Sequence, residues 1–242
     1  MTNPEVLNAM FRRYAAAENR FGNLYLTLHV QHQKLRAQWL AYGPEALKRT
    51  FDIVASLIAL LLLSPLFVII ATLVWIEDGG PIFFAQKRVG RFGREFKMYK
   101  IRSMCLNAEQ RLKELLEQNQ HAEGVTFKLK SDPRVTRIGK WLRKFSFDEL
   151  PQFFNVFIGD MSLVGPRPPV PREVAMYSPA HRRRLAIKPG ITCIWQISGR
   201  SEIDFSGQVR LDVAYIEQQS FWKDVEILLR TVPAVLSGKG AC

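Results

Sequence analysis

The sequence predicts a mostly helical α+β protein that is attached to a membrane. Three observations lead to this fold class: a long apolar segment with a proline in its middle, a pair of short strand-like runs after it, and amphipathic helical stretches in the remainder. The chain has 242 residues, 48% of them hydrophobic, and a mean hydropathy of −0.05. One globular domain joined to a single anchor accounts for these values.

Residues 1–46 are expected to form a helical extension. The spacing of apolar residues is helical from residue 5 to residue 42, with a polar interruption at residues 19–23. An amphipathic packing helix and an interfacial helix both explain this stretch. Gly43 and Pro44 predict a break before the apolar segment. No cleavable leader is expected, because residues 1–43 are polar.

Residues 47–78 are predicted to form a re-entrant membrane hairpin. The apolar run from Phe51 to Ile76 has no charge between Asp52 and Glu77, and it exceeds the roughly 20 residues that cross a bilayer. Ser64-Pro65 interrupts the run, and an internal proline kinks a helix. Basic residues lie on both flanks, whereas a simple span has them on one side. A true span and a buried helix are the alternatives.

Residues 79–242 are assigned to a cytoplasmic domain that begins with a β-hairpin. Turn residues at 78–81 and 91–94 bracket two runs of strand-like residues, 82–86 and 95–102. The returning strand should direct Lys97, and with it Lys100 or Arg102, to one side of the hairpin. A charged, solvated helix is expected at 105–121, and an amphipathic helix that packs on the core or lies in the membrane interface at 221–236.

An acidic pair, Asp148-Glu149, follows a cationic helical stretch. Arg143 and its basic neighbours recur there at helical spacing after a turn at Asp132-Pro133-Arg134. Ser146 and Glu149 match a capping box, although Pro151 argues for a helix that starts slightly later. Either start places both carboxylates beside free backbone N–H groups and the positive end of a helix dipole. This position favours ionised carboxylates and anions bound next to them.

Downstream, single cations stand beside tight turns. Arg167 lies between prolines that fix φ on both sides, and a guanidinium on so stiff a mount suits bidentate phosphate recognition. Lys188 precedes Pro189-Gly190, and Arg200 follows Ser198-Gly199. Each of these motifs has two interpretations. The cation binds an anion, or the motif is an ordinary loop without a binding role.

The net charge of +12 requires an anionic partner. Zinc-finger spacing, an RNA-binding aromatic signature and a basic zipper are all missing from the sequence, so nucleic acid is not the expected partner. Cys105, Cys193 and Cys242 lie far apart and cannot all pair, which is typical of a reducing compartment.

Taken together, the ordered motifs resemble the bacterial sugar transferases, the monotopic polyprenyl-phosphate phosphoglycosyl transferases, over about residues 47–242. The stretch from Leu236 to Ala241 is similar to members that initiate exopolysaccharide synthesis. One departure is Cys193, where the family usually has glycine. The motifs are Lys48-Arg49-Thr50-Phe51-Asp52, Ser64-Pro65, Gln86 to Gly90, Lys97 to Met104, Ser146 to Gln152, Gly159 to Pro168 and Lys188 to Thr192.

The resemblance implies transfer of a sugar 1-phosphate from a UDP-sugar to undecaprenyl phosphate, with release of UMP, at the cytoplasmic face of the bacterial inner membrane. In such an enzyme Asp148 is the nucleophile, Glu149 positions or binds the metal, and Asp148 and Glu149 together hold Mg²⁺. Inner-membrane lipids are implied partners, and a homo-oligomer is an open possibility. The cations expected at the phosphates are Arg143, Arg167, Lys97, Arg88, Lys188 and Arg200.

The sugar cannot be deduced from these residues. A hexose, glucose or galactose, is the first expectation and an N-acetylated sugar the second. The alternative functions are a nucleotide-sugar hydrolase, a non-catalytic membrane adaptor or regulatory relative, and a nucleic-acid binder. The adaptor would tolerate loss of Asp148, whereas the hydrolase would turn over the donor without lipid.

Overall fold

The structure is a computed structural model that describes residues 8–9, 20–108, 110–111, 132–199 and 202–237. The chain divides into two units, residues 1–48 and residues 49–242. Arg200 and most of the predicted helix at 105–121 lie outside the described residues, and residues 108, 110 and 111 are helical.

Helix α1 runs from Arg20 to Leu62 without interruption. The predicted breaks at 20–23 and at Gly43-Pro44 are therefore wrong, and Asn19 lies outside the described residues. A glycine costs a helix about 1 kcal/mol, which is too little to stop one whose neighbouring turns are already formed. At Gly43 an added Cβ would come 2.7 Å from the Trp39 ring, so the indole covers the bare backbone beside Pro44.

Helix α2, Ser64–Asp78, follows α1 after a break at Leu63. Pro65 lies in the first turn of α2, where its missing N–H costs no hydrogen bond, and the Ser64 hydroxyl donates to the Leu61 carbonyl oxygen at 2.8 Å. The predicted position of the break is confirmed. Gly79 ends α2 in the left-handed conformation, at φ 66°.

No single described helix is long and apolar enough to cross a membrane. The pair formed by residues Tyr42–Leu62 and Ser64–Asp78 meets the length and composition criteria together, and it is bent by 59°. Such a bend occurs in a broken span and in a re-entrant loop alike.

Residues 49–78, the part of the bent pair in the second unit, are fixed to the rest of that unit by polar contacts of Arg49 and Asp52 and by apolar packing near the end of α2. Arg49 donates to the carbonyl oxygens of Val156 and Phe157 at 2.6 and 2.8 Å, and an Asp52 carboxylate oxygen accepts from the Leu163 backbone N–H at 3.0 Å. Asp52 is buried, so this bond is shielded from water. Further along, α2 contributes to a core cluster made of Ile70, Val74, Ile101 and Leu142.

The predicted β-hairpin is confirmed. Strands β1, Phe83–Val89, and β2, Glu95–Ile101, pair antiparallel, with Gln86 opposite Met98. A short 3₁₀ helix at Arg91–Gly93 makes the turn. Met98 is buried in the main core with Val156, Met161 and Tyr215, so this face of β2 points inward.

A second, parallel sheet was not predicted. Strands β3, Ser162–Val164, and β4, Gly190–Thr192, bring the Gly165-Pro166-Arg167 and Lys188-Pro189-Gly190 motifs together. A Cβ at Gly190 would lie 2.0 Å from the Gly165 backbone nitrogen, so the two chain segments touch without room for a side chain. Two strands of three residues are too short for any alternating pattern to appear in the sequence.

The remaining helices complete the second unit, and with α1 and α2 they make the protein mostly helical, in agreement with the predicted α+β class. Helix α9, Phe221–Ser237, buries Asp224 and Ile227 on one side and exposes Trp222, Leu229, Val232 and Leu236 on the other. The helices after the hairpin are α3 Arg137–Lys144, α4 Gln152–Ile158, α5 Pro171–Ala175, α6 Pro179–Arg182, α7 Ile194–Ser198, α8 Phe205–Glu217 and α9 Phe221–Ser237.

Candidate active site

The acidic pair lies in a short 3₁₀ helix, Phe147–Glu149, between α3 and α4. Ser146 precedes it with φ 56°, a left-handed conformation that is strained for a residue other than glycine. Ser146 makes no side-chain cap, so the predicted capping box is wrong, whereas the later helix start is confirmed at Gln152. The left-handed residue turns the chain sharply, and Asp148 faces inward rather than capping a helix.

Lys100 is the cation that holds the pair. Its Nζ lies 2.8 Å from Glu149 Oε1 and 3.7 Å from Asp148 Oδ2. Asn155 fixes the position of β2, which carries Lys100, relative to α4. Its side chain accepts from the Tyr99 backbone N–H at 2.9 Å and donates to the Lys97 carbonyl oxygen at 2.7 Å. Since Asn155 is fully buried, α4 is clamped against β2 directly beside Lys100.

The predicted phosphate ligands separate into those that reach the site and those that do not. Arg143, Arg167 and Arg88 line the same cleft as the acidic pair. Lys97 is exposed on the opposite face of β2 from Lys100, and the structure does not bring it to the pair. Lys188 lies beside the Gly159 turn, with Nζ 3.7 Å from where a Cβ would stand, and it does not line the described cleft.

Arg88 contacts the proline-rich loop that carries Arg167. Arg88 donates to the Pro168 carbonyl oxygen at 2.9 Å and to the Gln86 side-chain oxygen at 2.7 Å. The backbone N–H of Val89 donates to the Pro169 carbonyl oxygen at 2.9 Å. Burial, with Arg167 nearby, lowers the pKa of Arg88 to about 9.

The two carboxylates differ in their electrostatic surroundings. Burial raises the pKa of Asp148 above its usual range, and Glu149 adds to this, while Lys100 and Arg143 oppose it. Burial would also raise the pKa of Glu149, but Lys100, with Arg167 and Arg88 behind it, outweighs burial and lowers that pKa. Asp148 is thus the more basic of the two carboxylates and Glu149 the more firmly ionised one.

The site opens into a cleft of about 1150 Å³. This exceeds the roughly 300–1,000 Å³ typical of a site for one small ligand. Its lining includes the apolar side chains of Phe83, Phe84 and Leu106, and also Trp195 and Gln196. A cleft of this size, lined by several cations, has room for two anionic molecules beside the acidic pair.

An acidic pair surrounded by cations in one cleft is an arrangement suited to binding anions. This chain belongs to the bacterial sugar transferase family, whose sequence model matches residues 43–238. The match includes every described element of the cleft and leaves out most of residues 1–48.

Three of the relatives to which the chain is similar illustrate the match. It is 52% identical over 195 residues to the galactosyl transferase CpsE of Streptococcus agalactiae, covering 80% of this chain and 43% of the relative. It is 46% identical over 198 residues to the undecaprenyl-phosphate galactose phosphotransferase of Salmonella typhimurium, covering 81% of this chain and 41% of the relative. It is 43% identical over 197 residues to the exopolysaccharide production protein ExoY of Rhizobium meliloti, covering 80% of this chain and 87% of the relative.

The chain therefore spans less than half the length of the first two relatives and most of the length of the third. Cys193, the departure from the family pattern, is buried in an extended conformation at φ −152°, and its Sγ lies 3.2 Å from the Gln196 side-chain oxygen. Since this conformation suits any residue, the structure accommodates cysteine without backbone strain.

Proposed function

We propose that this protein transfers a sugar 1-phosphate from a UDP-sugar to undecaprenyl phosphate, releases UMP, and so initiates the assembly of exopolysaccharide or a related glycan. The observation that carries the proposal is the buried Asp148, 3.7 Å from Lys100, in a cation-lined cleft. Family membership and the names of the relatives support the same reaction class.

In the first step an Asp148 carboxylate oxygen attacks the phosphorus that bears the sugar. The bond between that phosphorus and the oxygen bridging to the UMP phosphorus breaks, and UMP leaves with the electron pair. Asp148 then carries an aspartyl phosphosugar. Burial raises the pKa of the Asp148 carboxyl, and Lys100 and Arg143 oppose this rise and so favour the ionised form. Arg88 and Arg167 stabilise the charge on the phosphoryl oxygens.

In the second step a phosphate oxygen of undecaprenyl phosphate attacks the same phosphorus. The bond from Asp148 to phosphorus breaks, which restores the carboxylate and yields a lipid-linked sugar diphosphate. No strong base is needed, because a phosphate monoester is largely ionised near neutral pH. Glu149 remains paired with Lys100 and acts by positioning rather than by accepting a proton.

The carboxylates of Asp148 and Glu149 suit Mg²⁺, which proteins often bind through one or two carboxylates together with substrate phosphates. Among the described residues no group of three or more His, Cys, Asp or Glu side chains is assembled around a metal position, so the substrate would complete the ligand set. When bound, Mg²⁺ would neutralise charge on the diphosphate.

We further propose that the bent helix pair is a re-entrant anchor, with the catalytic residues on the cytoplasmic face of the bacterial inner membrane. Cysteine labelling at positions 46 and 80 tests this topology, and both positions should react from the cytoplasmic side. Labelling from opposite sides would contradict the hairpin. Pro65→Ala should shift part of the population towards a span, with lower activity.

The reaction is tested with purified full-length protein, Mg²⁺, undecaprenyl phosphate and a panel of UDP-sugars, with UMP release as the readout. A hexose donor, glucose or galactose, is expected to react best and an N-acetylated sugar second. Donor without lipid should give one equivalent of UMP and then stop. Continued turnover without lipid would identify a hydrolase, and no UMP from any donor, with or without lipid, would contradict the transferase.

A further inference from the structure

The described part of helix α1 before residue 48 carries a regular apolar stripe that is exposed. Its positions alternate at intervals of four and three from residue 21 to residue 42, and His32 is its one polar member. Contiguous exposed apolar surface of this kind marks an interaction site rather than ordinary surface. The apolar members are Phe21, Tyr25, Leu28, Leu35, Trp39 and Tyr42, with exposed fractions of 88%, 67%, 55%, 64%, 65% and 71%.

We propose that this heptad stripe pairs with the same stripe of a second copy of the chain as a parallel two-stranded coiled coil. Its alternation of four and three residues is the spacing of positions a and d, and it continues for three heptads, which a coiled coil needs. His32 is then a single polar residue at an a position, a usual way to fix register. Position a holds Tyr25, His32 and Trp39, and position d holds Phe21, Leu28, Leu35 and Tyr42.

The surroundings of the stripe distinguish a helical partner from a lipid surface. An interfacial helix usually carries many Lys and Arg residues on the face opposite its apolar side. Here the described residues on that face are mostly neutral, with Val30, Gln33 and Ala37 beside a single cation, Lys34. The pattern therefore favours another helix over anionic lipid.

The chemistry of the flanking positions favours a parallel pair. In a parallel coiled coil position g faces position e of the next heptad of the partner, which brings Gln31 of one copy to Arg36 of the other. Both side chains are exposed, and the amide oxygen of Gln31 can accept from the guanidinium. An antiparallel pair joins e to e, and in the register that places equivalent residues opposite each other Arg36 would face Arg36 of the second copy, which is a repulsive contact.

The stripe is large enough for a specific interface. Four of its members are aromatic, and aromatic side chains bury on the order of 150 Å² each. Two stripes together therefore offer roughly 1,000 Å² or more, the size that a specific interface must reach. Leu24 is exposed at a flanking g position and widens the apolar surface.

The first test measures oligomeric state by light scattering of the full-length protein in detergent. Wild type should be a dimer, and Leu28→Glu with Leu35→Glu should be a monomer. The matched control is Val30→Glu with Ala37→Glu, which places the same charges two residues away on the opposite side of the helix. This control should remain a dimer, and a monomeric wild type or a dimeric stripe variant would overturn the proposal.

The second test does not depend on disrupting the helix. Leu35→Cys and Ala37→Cys are oxidised in membrane vesicles and compared on a non-reducing gel, with wild type as the background for the native cysteines. Leu35→Cys should form several times more disulfide-linked dimer than Ala37→Cys. Equal yields, which are expected if the stripe lies on lipid or on a different protein, would overturn the proposal.

Discussion

Two buried ionic clusters in the second unit have opposite designs. Arg184 Nε donates to Asp212 Oδ2 at 2.7 Å, and Arg184 Nη2 lies 2.7 Å from the same oxygen, so the cluster pairs one cation with one anion. At the acidic pair, Lys100 alone contacts two carboxylates, and Arg143, Arg88 and Arg167 act from nearby. These four cations outnumber Asp148 and Glu149 by two, and they still exceed the carboxylates when Glu173, which acts on Arg88, is counted.

We assign a structural role to the Arg184–Asp212 cluster and the proposed catalytic role to the cluster at the acidic pair. The Arg184–Asp212 pair is covered by Tyr177 and Phe205 and lies within the protein, where one cation is paired with one anion. The acidic pair faces a cleft in which the cations outnumber the carboxylates. A site with surplus cations is suited to bind a diphosphate, whereas a balanced pair is suited to hold helices together.

The largest expected effect is loss of turnover in Asp148→Asn, by about 10³-fold or more, because an amide of the same shape cannot act as the nucleophile. UMP release with donor and lipid is the measurement. Glu149→Gln should retain a slow reaction with weaker Mg²⁺ dependence. Equal activity of Asp148→Asn and wild type would remove the distinction between the two clusters.

Breaking the balanced cluster should instead reduce stability. Arg184→Met leaves Asp212 buried without its partner and should cost about 3–5 kcal/mol of unfolding free energy near neutral pH, measured by denaturant unfolding. Arg183→Met is the control, because its pair with Glu217 is 59% exposed on both sides and should contribute below about 1 kcal/mol.

The pH dependence of that loss has a definite sign. Burial raises the pKa of Asp212 to about 6 in the wild-type protein, and losing Arg184 should raise it further. A folded-state pKa above the unfolded value of about 3.9 means that the folded protein binds the extra proton, so stability falls as pH rises between the two values. Arg184→Met should therefore be closest to wild type in acid, and a larger deficit in acid than at neutral pH would contradict this.

Lys100→Gln tests the unbalanced cluster through its pH profile. Removing this cation should raise the pKa of Asp148, so that the acid limb of the initial UMP burst moves to higher pH and activity partly recovers in alkali. Lys97→Gln is the comparison, since Lys97 lies three residues away on the other face of β2. An unchanged acid limb in Lys100→Gln, or a shift of the same size in Lys97→Gln, would contradict the geometry.

A smaller effect is expected from Arg167→Lys. This change keeps the charge but removes the planar fork that matches two phosphate oxygens, so UMP release should fall roughly tenfold. The protein should unfold at the same denaturant concentration as wild type. Activity near the wild-type value would mean that Arg167 does not bind the phosphates and is only part of the loop.

Much of this fold could be predicted because local patterns dominate it. The break at Ser64-Pro65 and the β-hairpin each follow from a few neighbouring residues. The continuous helix through Pro44 could not, because cooperativity of the flanking turns outweighs one breaking residue. The parallel sheet was missed because its two strands are short and far apart in sequence.

At the site, the residue types were more predictable than their contacts. Asp148, Arg88, Arg143 and Arg167 were expected at the phosphates, and the structure brings them to one cleft. Whether Lys97 or Lys100 reaches the acidic pair depends on which face of β2 points inward. The burial of Met98 shows that this is the face of Lys100. The contacts of Asn155 with β2 join residues more than fifty positions apart, so the sequence carried no local signal for them.

The central claim is that Asp148 forms a covalent intermediate, and intact-protein mass spectrometry tests it most directly. Wild type incubated with Mg²⁺ and the reactive UDP-sugar, without lipid, should become heavier by one sugar phosphate, in step with one equivalent of UMP. Asp148→Asn should show neither change, and undecaprenyl phosphate should discharge the adduct. If wild type forms no adduct and UMP leaves only when both substrates are bound, transfer is direct and the account is wrong.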